Sequence, residues 1–157
     1  MIALANEFFG AHHDPEQIIV DDKTMERLKQ IHPATLSEES DNNGPIAWLL
    51  VIPTTHTLME KFLSKEISER QLLDSTASHT SYDALYLCSA LVLPEYRRMG
   101  LAKRLAARTI HAIQKDHPIK ELFYWAFSEE GRKLAEAIAG EVRLPVYSAQ
   151  THETRKS

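Results

Sequence analysis

One cysteine, Cys88, stands among the 157 residues. A single thiol excludes an internal disulfide, so a reducing cytoplasm is the expected setting. Only five glycines occur. Neither Gly-x-x-x-x-Gly-Lys-Ser/Thr nor Gly-x-Gly-x-x-Gly is present, which leaves nucleotide-triphosphate and dinucleotide readings without support. No apolar stretch approaches membrane-spanning length. The N-terminus has no basic leader, and its apolar run is too short for a signal peptide. Basic excess is also missing: the net charge is −4, opposite to the footprint of a general nucleic-acid binder. His-Glu-x-x-His is absent, and His12-His13-Asp14 has no further partner at ligand spacing, so no metal is expected. Partners are accordingly expected to be neither nucleic acid nor membrane.

What is present fits a soluble globular chain, with 43% apolar and 25% charged residues. The length fits one domain spanning residues 1–157, with a polar, mobile tail from about Ser148. Residues 1–9 suit a short helix stopped by Gly10, and Gln17–Val20 a short strand. Asp22 is placed to cap a helix over Lys23–Ile31, ended by His32-Pro33. Ser37–Pro45 is polar and acidic and reads as a loop. Ile46–Ile52 is a continuous apolar run that suits a buried strand. Thr57 to Asp74 reads as one amphipathic helix, with Ser75–Ser81 as its exit loop. Leu85–Leu93 is a strongly apolar strand, followed by a helix from Leu101 to about Lys115. Leu122–Phe127 is a further strand. Ser128 is placed to cap a helix over Glu129–Ala139 that Gly140 stops. Val142–Tyr147 is the last strand. Alternating strands and helices make the chain α/β (α+β), with a mixed central sheet flanked by helices.

The most informative stretch is Val92-Leu93-Pro94-Glu95-Tyr96-Arg97-Arg98-Met99-Gly100-Leu101-Ala102. It leaves the apolar strand, turns through an Arg/Gly loop and runs directly into a helix. Glu95 is its one carboxylate. Orphan N–H groups and the helix dipole make the start of such a helix positive. Gly100 and Ala102 remove bulk where a phosphate approaches the backbone. The amides from Arg98 through Met99, Gly100, Leu101 and Ala102 form a pyrophosphate cradle, with Arg98, Lys103 or Arg104 as point charges beside it.

This segment resembles the central motif of the GNAT superfamily of N-acetyltransferases, Arg/Gln-x-x-Gly-x-Gly/Ala, read here as Arg97, Gly100 and Ala102. The lead-in Val92, Pro94 and Arg97 is usual in that family as well. The resemblance covers about residues 82–147 and is weaker in the N-terminal half. It implies a GNAT-like fold that binds acetyl-CoA as cosubstrate and transfers its acyl group directly to a primary amine, without a metal. It also implies that the pantetheine arm runs along the strand edge at Ala90, Leu91 and Val92, with the Ala90 amide nearest the thioester carbonyl. An oxyanion donor of that kind contributes about 2.7–4 kcal/mol. Dimers are frequent among such proteins, so a homodimer is possible by analogy alone.

The resemblance also exposes departures. An acceptor amine with a pKa of about 10.4 costs about 4.6 kcal/mol to hold neutral at pH 7. The family often places a glutamate on the central strand for that proton, and Tyr86 stands at the position. Asp83 and His79 precede the strand and are alternatives through water. An Asn and a Tyr usually serve the leaving thiolate, at positions that read Ser128 and Ala135. Ser128 keeps a hydrogen-bonding group, and Tyr147 or Tyr124 is an alternative proton donor. The competing reading is a non-catalytic acyl-CoA sensor or interaction module. Cys88 reads as a buried structural thiol. Trp48 and Trp125 read as core.

Overall fold

The computed structural model describes residues 21–78, 80–96, 100–126 and 129–150. Helix α1 spans Asp22–Ile31, and Asp21 caps it by accepting the Thr24 amide at 2.8 Å. The cap is thus one residue earlier than expected. Strand β1 (Leu36–Asp41) and strand β2 (Gly44–Thr54) follow. Leu36–Asp41 therefore corrects the loop expected over Ser37–Pro45. It is an edge strand with alternating exposure, and its Ser and Glu side chains are compatible with one solvated face. In β2, by contrast, nine consecutive residues from Ile46 to Thr54 are buried, so both of its faces are covered.

The single helix expected over Thr57–Asp74 is two helices. Helix α2 covers His56–Leu63 and helix α3 covers Glu69–Ser75. Lys65, at φ 68°, breaks the run in a left-handed conformation. Ser68 and Gln71 then form a reciprocal capping box that restarts it. Strand β3 (Ala84–Val92) leads through a 3₁₀ turn, Pro94–Tyr96, towards helix α4 (Leu101–Gln114). The α4 residues Leu105, Ala106, Thr109, Ile110 and Ile113 form its buried stripe. Strand β4 is Glu121–Ala126, helix α5 is Glu129–Val142, and strand β5 is Val146–Gln150.

Gly140 lies inside α5 rather than ending it; Arg143, at φ 62°, follows the last turn. The last strand is consequently displaced from Val142–Tyr147 to Val146–Gln150, and Ser148 belongs to it rather than to a mobile tail. The sheet order is β1-β2-β3-β4-β5. β1, β2 and β3 pair antiparallel, whereas β3, β4 and β5 pair parallel, so the sheet is mixed. The two parallel crossovers carry α4 and α5, which pack on each other.

On the sheet face that carries Tyr86, α2 contributes Phe62. Its ring lies 4.9 Å from Tyr86 and 5.6 Å from Phe123, and these two are 5.1 Å apart. Tilted contacts of this kind add about 0.5–1.5 kcal/mol per pair beyond area burial. Trp48 is buried as expected; Trp125 is half-buried against the core. Among the described residues no helix is long and apolar enough to cross a membrane. The helix expected at 1–9, the strand expected at 17–20 and the His12-His13-Asp14 turn lie outside the described residues.

Candidate functional site

Strand β3 parts from β4 a third of the way along β3. Their parallel register runs only through Ala84↔Glu121, Leu85↔Leu122 and Tyr86↔Phe123. Beyond Tyr86, β3 stays paired with β2 as far as Val92. Leu50 opposes Ser89 while Val51 opposes Leu87, so Cys88 is an extra residue in β3. Such a bulge bends its strand and increases the local twist. The result is a V whose apex lies at Tyr86 and Phe123 and whose mouth opens towards the end of β3.

The backbone of β3 faces into that V at a predictable spacing. Leu93 donates its amide to the Ile46 carbonyl at 2.9 Å across the β2–β3 pair. Alternation along an antiparallel ladder then turns the Ala90 amide away from β2, towards the open side. Val92 faces the same way. Ala90 is exposed, and Leu91 and Val92 are half-buried. The Ala90 amide thus offers an extended ligand segment the kind of main-chain contact an additional strand makes.

Gly100 marks the start of α4 with φ 76° and ψ 14°, a left-handed conformation that favours glycine. Its carbonyl accepts the Arg104 amide at 3.0 Å, which begins the helical ladder. Gly100 has no side chain to cap the helix, and the free amides of an uncapped opening turn suit an anion. A Cβ at Gly100 would stand 3.4 Å from Arg104 Nη1, so this guanidinium leans back over the helix start. Leu101, Ala102 and Lys103 are half-buried in the first turn. Lys103 Nζ is 3.8 Å from Glu141, a loose contact between exposed side chains. Tyr96 anchors the approach to the helix by donating its hydroxyl to Asp41. Arg97, Arg98, Met99 and Ser128 lie outside the described residues.

Tyr86, the expected substitute for a catalytic carboxylate, is 1% exposed. Its hydroxyl donates to Glu69 Oε2 at 2.6 Å. Burial first, and the neighbouring Glu69 charge second, push this phenol far above its ordinary range, so it stays protonated. The Cys88 thiol donates to the same Glu69 oxygen at 3.4 Å. Burial and then the Glu69 charge also raise this thiol well above its usual value. Neither group is an anion near neutrality. What the two share is the carboxylate: Glu69, the first residue of α3, is itself buried and lies against the Tyr86 and Cys88 side chains of β3. Sequence reasoning missed it, because its partners are 17 and 19 residues away. The Ser68–Gln71 capping box is the one local signal that marks its helix start.

The other expected groups are scattered. Asp83 accepts the His56 amide at 2.8 Å and so holds the first turn of α2. His79 lies outside the described residues. Tyr147 is 45% exposed and stands in register with Phe123 on the far side of β4. Two strand spacings separate it from β3, about 10 Å. Tyr124 is buried, and burial raises its phenol. Ala135 is buried in α5 and offers no proton.

With that geometry in place, the comparison with known families is direct. The chain matches the model of the Acetyltransferase (GNAT) family over residues 3–137, and it belongs to that family. The match includes the splayed strands, the Gly100 turn and nearly all of the first turns of α5. No curated protein and no solved structure matches the chain significantly.

Proposed function

We propose that this protein is an N-acyltransferase that moves the acetyl group of acetyl-CoA directly to a primary amine. The observation that carries this reading is the pairing of two features at one end of β3. One is the open strand edge at Ala90; the other is the left-handed Gly100 turn that starts α4 without a side-chain cap. The edge suits a pantetheine arm, the helix start suits a diphosphate, and the two are close along the chain. Membership of the acetyltransferase family supports the same assignment.

In this reading the amides of Gly100, Leu101 and Ala102, with those of Arg98 and Met99, hold the diphosphate. Arg97, Lys103 and Arg104 add positive charge around it. The Ala90 amide polarises the thioester carbonyl, while Leu91 and Val92 continue the edge along the arm. Ser128 is assigned a hydrogen bond to the coenzyme, and Tyr147 is the available phenol for the departing sulfur. The compartment we infer is the cytoplasm, and the assembly a homodimer.

One observation favours a second reading, that of an acyl-CoA sensor. Ala135 is buried where the family commonly has a tyrosine, so no side chain there protonates the thiolate. Release of free coenzyme thiol from acetyl-CoA, measured with polyamines, amino sugars, amino acids and peptides, tests the enzyme reading. Acceptor-dependent release supports it. Coenzyme binding with no release across the panel favours the sensor.

A further inference from the structure

We propose that Glu69, carried by α3 rather than by the central strand, is the proton acceptor for the incoming amine. This rests on the acyltransferase reading above and assigns the step for which β3 itself supplies only Tyr86.

Three placements carry the inference. First, Glu69 Oε2 is held by the Tyr86 hydroxyl at 2.6 Å and by the Cys88 thiol at 3.4 Å. Tyr86 is also the last β3 residue in register with β4, so the residue that holds the carboxylate is rooted where the strands part. Second, Cys88 is the bulge residue, and Ala90 follows two residues further along the open edge. At the rise of a strand Cys88 and Ala90 are about 7 Å apart along the backbone, so the thiol that holds the carboxylate and the proposed oxyanion amide are near neighbours on β3. Third, Glu69 is buried, and the Tyr86 ring that carries its donor packs against Phe62 and Phe123. An apolar surround strengthens attraction for a single ammonium. Tyr86 and Cys88 both stay protonated, so each holds the carboxylate as a neutral donor.

The step balances without a further reagent. The ammonium gives one proton to the Glu69 carboxylate. The freed nitrogen lone pair forms the new N–C bond at the thioester carbonyl, and the C–S bond breaks. The second nitrogen proton leaves with the sulfur as the coenzyme thiol, and Glu69 returns its proton to water. Glu69 is thus a catalytic residue, while Tyr86 is a positioning residue that fixes its oxygen.

Two nucleophiles separate this role from a structural one. Propylamine is charged near pH 7 and must lose a proton before attack, whereas hydroxylamine is already neutral. The wild-type chain, Glu69→Gln and Tyr86→Phe are compared for transfer from acetyl-CoA to each, with acetyl-CoA binding followed separately by calorimetry. Glu69→Gln is expected to lower transfer to propylamine by about 10²–10⁴-fold, and to hydroxylamine by less than about tenfold. Tyr86→Phe, which keeps the ring, is expected to favour hydroxylamine in the same direction and serves if Glu69→Gln does not fold. Equal losses for both nucleophiles, or no loss with propylamine, overturn the assignment of Glu69. A wild-type chain that does not bind acetyl-CoA overturns the acyltransferase reading itself, which calorimetry registers independently.

Discussion

Tyr86 and Phe123 are the last residues at which β3 and β4 stand in register, and the open edge at Ala90 and the Gly100 turn follow beyond Tyr86 in the chain. Their rings, 5.1 Å apart, close the floor of the V together with Phe62. Truncating that floor is the first test. Phe62 is 4% exposed, and Phe62→Ala is expected to cost about 3–5 kcal/mol of stability. Urea unfolding reads this as a lower midpoint. A loss below about 1 kcal/mol, within the range of an ordinary substitution, contradicts the packing described.

Gly100 supports two separable changes. Gly100→Ala forces a Cβ into the left-handed conformation at φ 76°, which costs about 1–2 kcal/mol. The nearest atom to that Cβ is 3.4 Å away, so conformational strain and not collision sets the loss. Gly100→Glu adds negative charge to the proposed phosphate seat. Acetyl-CoA at a hundred times its dissociation constant is expected to stabilise the wild type by about 2.7 kcal/mol. Thermal unfolding with and without coenzyme is expected to show this shift in Gly100→Ala and to lose it in Gly100→Glu. A full shift in Gly100→Glu places the diphosphate elsewhere.

Much of this arrangement is readable in the residues, because the β3–turn–α4 segment pairs a long apolar run with an Arg/Gly turn and a 3.6-period stripe. The parts that resist reading have physical causes. Leu36–Asp41 is polar because it is an edge strand, and its composition matches that of a loop. The break at Lys65 is invisible because Leu58, Phe62 and Leu72 keep helical phase across it, while only the Ser68–Gln71 box marks the restart. Gly140 suggests a helix stop, yet helical hydrogen bonding continues through it to Val142. The role argued for Glu69 has no local signature, since it depends on α3 folding over a strand that follows it in the chain.

His56 gives a pH dependence of defined sign. Its Nδ1 lies 2.5 Å from Glu121, and its Nε2 is 3.3 Å from Glu60. The hydrogen bond to Glu121, then its charge, raise the imidazole above its usual value of 6.5. A raised folded-state value means the protonated ring stabilises the fold. That contribution is complete below the unfolded value and is lost as pH rises through the folded one. Melting temperature followed from pH 6 upward is expected to carry a falling component that Glu121→Gln removes. An identical profile in both proteins contradicts this pairing.

Cys88 is expected to be a slow thiol despite its place beside the site. Burial and the Glu69 carboxylate both disfavour its thiolate, which is the reactive form. Alkylation by iodoacetamide at pH 8 is expected to proceed far more slowly in the native chain than in urea. Equal rates in the two conditions contradict the placement of its sulfur.

Amide hydrogen exchange on adding acetyl-CoA tests the central claim most directly. The account predicts new protection at Ala90 on β3 and at Gly100 through Ala102 at the start of α4, and little change along β1. Coenzyme binding that leaves those amides exchanging at their original rates would contradict it.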